Sequence, residues 1–239
     1  MLKTNKFILL IITLILSLTL TSCSGTKQLE KALNELGKES YTMHGDMDVK
    51  ILTSYMGQSN TQKVESDMVI ETDSTQSYTI TSSEGSKAYA YTKVEDGKIK
   101  SYSKVGNSWQ LVATEDIEDK NNEITDLLNI DVEIKDVFVK RDEVWVANTI
   151  KITELLETTL DDLAKEFGGM GVTIQNTQID KYTIELERGH VSGVELDLSM
   201  SFSTTQSGIT IEMIVEMEMD LEISRIGKTT VTVPEGLPE

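Results

Sequence analysis

The most regular feature of the sequence is an alternation of apolar and polar residues near its C-terminal end. Every odd position from Ile209 to Ile223 is apolar, and all the even positions between them except Ile214 are polar or acidic. Successive side chains of a β-strand point to opposite faces, so this run predicts one strand with an apolar and a polar face. At about 3.3 Å per residue, the strand would extend for roughly 50 Å and would have to coil or bend.

The same period of two recurs in residues 194–202 and through residues 41–113, with turn residues between the runs. Asp96-Gly97 is the strongest hairpin signal, and another turn is predicted over Gly57–Asn60. The pattern predicts an antiparallel meander with one dry face and one solvated face. Residues Thr229–Val233 predict a short closing strand at the end of the chain.

Two segments instead show the spacing of amphipathic helices. Residues 24–38 place leucine and alanine side chains on one face, with Thr26 as the expected N-cap. A second apolar stripe runs from Thr153 to Phe167, and a helical turn around 124–128 would make a third helix. The predicted fold class is therefore α+β, a long curved antiparallel sheet with two or three helices.

The N-terminal residues have the features of an export signal. Lys3 and Lys6 precede an uncharged run of 14 residues, 7–20, which is shorter than the roughly 18 apolar residues of a membrane-spanning helix. The following Leu20-Thr-Ser-Cys23 resembles the bacterial lipobox, which implies cleavage after residue 22 and a diacylglyceryl group on Cys23. Residues 1–22 are then a lipoprotein signal peptide, and residues 23–239 form a single domain. The alternative is an ordinary secretory signal with an unrelated cysteine, but the position of this only cysteine favours the lipobox.

The charge of the chain restricts its partners. Loss of Lys3 and Lys6 with the signal peptide would lower the basic residues from 22 to 20 against 40 acidic residues, for a net charge near −20. Such a charge argues against binding nucleic acid and against electrostatic binding of anionic lipid head groups. We expect a monomer held at the extracytoplasmic face of the cell membrane by its lipid anchor.

The lipobox, the short helix and the long alternating strands together resemble a known family. Two segments add to the resemblance: Ser40–Met43 with Gly45 and Met47, and the tail Leu221–Pro234. The chain is similar to Gram-positive lipoproteins of the LolA/LppX-like lipoprotein-carrier superfamily. This resemblance implies an incomplete β-barrel with helices on its concave face, a surface that holds acyl chains in characterised relatives, and no catalytic residue.

The candidate binding residues are the methionine-rich apolar positions of the strands. Methionine is flexible and polarizable, and it suits surfaces that adapt to varied apolar ligands. The residues predicted to line an apolar cavity are Met43, Met47, Met68, Leu198, Met200, Phe202, Met213, Val215, Met217 and Met219. The alternative is that these side chains fill a core, which is the usual role of such a stripe. The two functional hypotheses are a membrane-tethered carrier or sensor of an apolar molecule such as a lipid, and an interaction or scaffold protein with a filled core.

Other chemistry finds little support in the sequence. His44 and His190 are the only histidines, and neither lies beside a nucleophile motif, so no enzymatic activity is predicted. The acidic segment 115–126 has no turn glycine for a calcium loop. Met217 and Met219 have no neighbouring cysteine or histidine to complete a copper site. No metal and no cofactor are therefore predicted.

Overall fold

The structure, a computed structural model, describes residues 27–116, 137–142, 144–154, 172–206 and 209–238. Helix α1 is Lys27–Leu36, and residues 149–154 are helical and are called α2. The predicted signal peptide, Cys23, the Thr26 cap, the turn around 124–128 and the predicted helix beyond residue 154 lie outside the described residues.

All the described strands belong to one antiparallel sheet. They are β1 (Tyr41–Tyr55), β2 (Gln58–Thr72), β3 (Gln76–Ser83), β4 (Ser86–Glu95), β5 (Lys98–Val105), β6 (Ser108–Asp116), β7 (Phe138–Arg141), β8 (Val144–Ala147), β9 (Val172–Glu187), β10 (His190–Gln206) and β11 (Ile209–Ser224). Their order across the sheet is β6-β5-β4-β3-β2-β1-β11-β10-β9-β8-β7. The described part of the chain is thus mostly β, an open sheet that is compatible with an incomplete barrel. The long alternating run forms β11 over 16 residues, as predicted.

Two-residue turns connect many of the neighbouring strands. Asp96 and Gly97 join β4 to β5 with φ angles of 54° and 74°, which confirms the predicted hairpin. Positive φ at both turn residues matches the twist of the flanking strands. The turn predicted over Gly57–Asn60 is wrong in its bounds, because Met56 and Gly57 make the turn and β2 begins at Gln58.

The helices pack on one face of the sheet. The apolar stripe of α1 is buried, as predicted, and consists of Leu29, Ala32, Leu33 and Leu36. These residues share the main core with side chains of β1, β10 and β11. Helix α2 begins at residue 149 rather than at the predicted Thr153. Asn148 accepts a hydrogen bond from the Lys151 backbone N–H at 3.3 Å and so caps the earlier start.

The chain after β11 does not form the predicted closing strand. β11 already pairs with β1 on one side and β10 on the other, so no strand position is open beside it. A turn at Gly227, with a φ of 68°, instead leads residues 229–238 across a face of the sheet. Thr229 Oγ1 lies 2.8 Å from Thr42 Oγ1, and the Thr232 N–H donates to Glu71 Oε2 at 2.8 Å. The tail is therefore fastened to β1 and β2.

Candidate functional site

The residues predicted to line a cavity lie on one face of the sheet, which we call the methionine face. Eight of the ten are buried in the main core: Met43, Met47, Met68, Leu198, Met200, Phe202, Met217 and Met219. The strand register explains their grouping, because Met217 lies between Val49 of β1 and Leu198 of β10. Directly opposed residues on one face have their Cβ atoms about 5 Å apart, so their side chains form continuous rows.

The methionine face is closed at one end and partly open at the other. Along β11, the exposed fraction is 1% at Leu221, 3% at Met217 and 36% at Met213. Val215 is partly buried and packs against the core between the last two. Met213 pairs with Phe202 of β10, so the exposed end still continues the apolar row. An apolar molecule could thus reach this face from the Met213 end.

The structure forms a half-open surface cavity of about 320 Å³ at a different place. Its lining consists of Gln28, Lys140, Leu186, Arg188 and Gly189. None of the ten predicted residues belongs to that lining. The methionine face and this cavity, which we call the basic cavity, are therefore separate features.

The apolar side of the sheet changes between β2 and β3. The register aligns Met43 with Ile70, and Ile70 with Thr79 of β3, so the methionine face continues there as small polar residues. Tyr78 aligns instead with Glu71, on the opposite side. The expectation of one dry and one solvated face throughout residues 41–113 is therefore wrong, since the β3–β6 half is apolar on the other side.

This second apolar surface, the aromatic face, consists of Tyr78, Tyr91, Tyr102 and Trp109. The rings of Tyr91 and Tyr102 have centroids 6.1 Å apart, and both residues are 2% exposed beneath Val231 of the tail. The Tyr91 hydroxyl donates to Gln76 Oε1 at 2.7 Å. Burial raises the pKa of Tyr91. The aromatic face is thus a small second core that the tail completes.

Eight carboxylates lie opposite the methionine face in two rows across four strands, and we call them the carboxylate grid. The first row is Asp67, Asp46, Asp220 and Glu195, and the second is Glu65, Asp48, Glu218 and Asp197. Lys181 Nζ and Thr183 Oγ1 donate to Glu195 Oε2 at 2.7 and 2.8 Å, and these hydrogen bonds lower the pKa of Glu195. Like charges directly opposed on a sheet destabilise it, so the grid opposes folding.

Within the described residues, no group of three or more histidine, cysteine or acidic side chains is arranged to hold a metal ion. Residues 117–126 of the acidic segment lie outside them. His44 is exposed on β1, whereas His190 Nδ1 lies 3.7 Å from Glu35 Oε2. In this same part of the chain, no helix has the length and apolar character needed to cross a membrane.

No protein-family model matches the sequence, and no curated protein matches it. Several solved structures are similar to the chain, including the following three. The ywiB protein from Bacillus subtilis is 9% identical, with 74% of this chain and 92% of that chain covered and a TM-score of 0.21. A domain assigned to outer membrane lipoprotein sorting, from Vibrio parahaemolyticus, is 10% identical, with 89% and 96% covered and a TM-score of 0.26. A DUF1329 family protein from Desulfovibrio piger ATCC 29098 is 9% identical, with 88% and 95% covered and a TM-score of 0.25. Likeness at this level supports no conclusion about the function of this chain.

Proposed function

We propose that this protein is an extracytoplasmic lipoprotein, anchored through Cys23, that binds an apolar ligand such as a lipid acyl chain against the methionine face. The proposed activity is binding and transfer, without a chemical step. The observation that carries the proposal is the rise in exposure along β11, from buried Met217 to Met213 at 36%.

Two properties of the methionine face and the energetics of acyl-chain burial support this proposal. Thioether side chains have several rotatable bonds, so they can move aside for a guest and refill the space when it leaves. The face crosses β1, β10 and β11 in register, and its rows are long enough to follow an extended chain. Each methylene of an acyl chain that leaves water contributes about 0.8 kcal/mol, so even partial burial gives useful affinity.

A scaffold protein with a filled core is the second candidate. The observation in its favour is that Met200, Met217 and Met219 are only 1–4% exposed and lie in one cluster with the leucines of α1. In this version the methionine face has no guest, and the protein acts through a protein partner. The two candidates differ in whether the purified protein takes up an apolar molecule.

Native mass spectrometry separates the two candidates. The chain from residue 24 onward is purified without its anchor, with circular dichroism to check folding, and is then exposed to a long-chain fatty acid. We expect one bound fatty acid per chain. Protein that stays empty at saturating fatty acid would exclude the carrier and leave the scaffold.

Two matched variants locate the bound molecule. Met213→Asp places a carboxylate at the open end of the methionine face, and we expect it to weaken uptake on the order of tenfold because a charge there resists burial. Met56→Asp is the control, since Met56 is 76% exposed in the β1–β2 turn. Unchanged uptake in Met213→Asp would mean that the fatty acid binds elsewhere, and equal loss in both variants would mean that the added charge acts without specificity for the methionine face. For the anchor, Cys23→Ala should move the protein out of the membrane fraction.

A further inference from the structure

The basic cavity has a lining that is unusual for so acidic a chain. Lys140 and Arg188 contribute cationic side chains, Gln28 an amide and Leu186 an apolar side, and the lining contains no carboxylate. The whole chain has 40 acidic residues against 22 basic ones. The lining thus brings two cationic side chains together on a chain whose net charge is negative.

The side chains around the basic cavity are suited to an anion. Lys140 Nζ donates to Gln28 Oε1 at 3.1 Å and lies 5.8 Å from the centre of the Trp145 ring, so contacts on two sides hold it in place. The Arg188 side chain is 89% exposed, with Glu187 Oε1 only 3.8 Å from its Nε. An exposed ion pair of this kind is weak and can open. A planar guanidinium then offers two parallel donors to a phosphate.

The size of the cavity is sufficient for a head group. A volume of about 320 Å³ is at the lower end of the range for small-molecule sites, roughly 300–1,000 Å³. Such a space accommodates a phosphate ester with its neighbouring atoms. Leu186, which is 8% exposed, gives the cavity one apolar side against which a glycerol backbone could rest.

The covalent chain places the basic cavity near the proposed anchor. Gln28 is the second residue of α1 and follows Cys23 by five residues. Five peptide units limit the distance between the two Cα atoms to about 19 Å. If Cys23 is held in the membrane, as the proposed function requires, the basic cavity lies within reach of the head groups.

We infer that the basic cavity binds the phosphate group of a membrane phospholipid and so orients the anchored domain. This inference rests on the proposed anchor at Cys23 but not on the methionine face. The net charge repels most of the domain from an anionic surface. Because the basic cavity lies beside the start of α1, a phosphate bound there holds the α1 end toward the membrane. The Met213 end of β11 lies near the β1–β2 turn, at the end of the sheet opposite the β9–β10 turn. In this orientation the Met213 end points away from the membrane.

The test compares how fast an amine reagent modifies individual lysines of the lipidated full-length protein. The protein is measured in neutral detergent micelles, in phosphatidylglycerol vesicles, and in vesicles of a glycolipid that has no phosphate. We expect modification of Lys140 to slow about fivefold in the phospholipid vesicles only, the factor that corresponds to about 1 kcal/mol per basic contact. Lys27 reports simple proximity to the bilayer, and exposed Lys87 on β4 should not change.

Two arginine variants complete the test. Arg188→Ala should abolish the protection of Lys140, while Arg225→Ala should keep it; both arginines are in turns at positive φ, 53° and 56°. Protection by inorganic phosphate in micelles would overturn the lipid as the source and assign the site to free phosphate. Equal protection in both kinds of vesicle, or none, would overturn the inference. A protein that is absent from the membrane fraction would instead overturn the anchor on which it rests.

Discussion

The carboxylate grid makes the strand register testable through stability. Asp46 lies directly between Asp67 of β2 and Asp220 of β11, and all three are exposed. Replacing Asp46 with asparagine keeps the size of the side chain and removes both repulsions. We therefore expect Asp46→Asn to stabilise the protein, although it removes a charged group from a solvated surface.

The expected gain follows from the spacing of the strands. Directly opposed carboxylates are about 5.5 Å apart, and two unit charges at that distance in water repel by about 0.8 kcal/mol. Screening at 0.15 M salt roughly halves this value, while at 0.01 M salt most of it remains. With two neighbours, Asp46→Asn should raise the free energy of unfolding by about 1 kcal/mol at low salt and by a few tenths at 1 M salt.

Urea unfolding is the suitable assay, because urea is uncharged and leaves the ionic strength under control. The unfolding midpoint of the unmodified protein should also rise with salt, and EDTA in the buffer keeps divalent cations from bridging the carboxylates. Asp96→Asn is the control, since Asp96 occupies a hairpin turn whose positive φ asparagine adopts equally well. A loss of stability in Asp46→Asn at low salt, or a gain that does not shrink with salt, would refute the register of β1 between β2 and β11.

Three further predictions concern the core, the tail and pH. Gly45→Ala should destabilise the protein by about 1–3 kcal/mol in chemical denaturation, because its Cβ would lie 2.6 Å from Leu221 Cδ2. Val231→Ala should cost about 1–2 kcal/mol and speed hydrogen exchange in β4 and β5, because the aromatic face loses its cover. Hydrogen bonds from Lys100 and Lys93 lower the pKa of Glu95 from 4.5 to about 2. The stabilisation of the fold by ionised Glu95 is therefore present above pH 4.5 and is lost as the pH falls from about 4.5 to 2. Glu95→Gln should make the free energy of unfolding less dependent on pH in that window.

Each of these predictions has a contrasting control. Gly193→Ala should be mild, since the nearest atom to its Cβ is the flexible Glu185 Oε2 at 3.3 Å. Val233→Ala should leave exchange in β4 and β5 unchanged, because Val233 is 58% exposed. Glu84→Gln, in an exposed turn, should keep the acid dependence. Equal effects in a variant and its control would contradict the packing or the pairing assigned to that site.

Much of the sheet is predictable because alternation alone assigns the two faces within a strand. The apolar side of β11 and the leucine stripe of α1 could be predicted without knowing which elements pack against them. The side change at β3 was not predicted, because alternation does not say which face of one strand continues which face of the next. That relation depends on the register, and a shift of one residue inverts it. The first turn was predicted at Gly57–Asn60, whereas Met56 and Gly57 form it and thereby set the register of β1 with β2.

The same limit applies to the candidate site. Period two predicted that Met47, Met217 and Met219 share one face, and the structure brings them together. It could not predict that Met213 would be exposed, since exposure depends on what covers each end of the sheet. The basic cavity was missed because Gln28, Lys140 and Arg188 are far apart in sequence and belong to no motif. They lie together because β7, the hairpin after β9 and the start of α1 meet at one end of the sheet.

Methyl NMR of protein labelled at its methionine methyl groups shows directly whether a fatty acid binds at the methionine face. During titration with a long-chain fatty acid, we expect the Met213 and Met217 resonances to shift together and to saturate. The resonance of Met56, which is 76% exposed in the β1–β2 turn beside the Met213 end, should shift much less and report contact outside the methionine face. Unchanged Met213 and Met217 resonances at excess fatty acid would contradict binding at the methionine face.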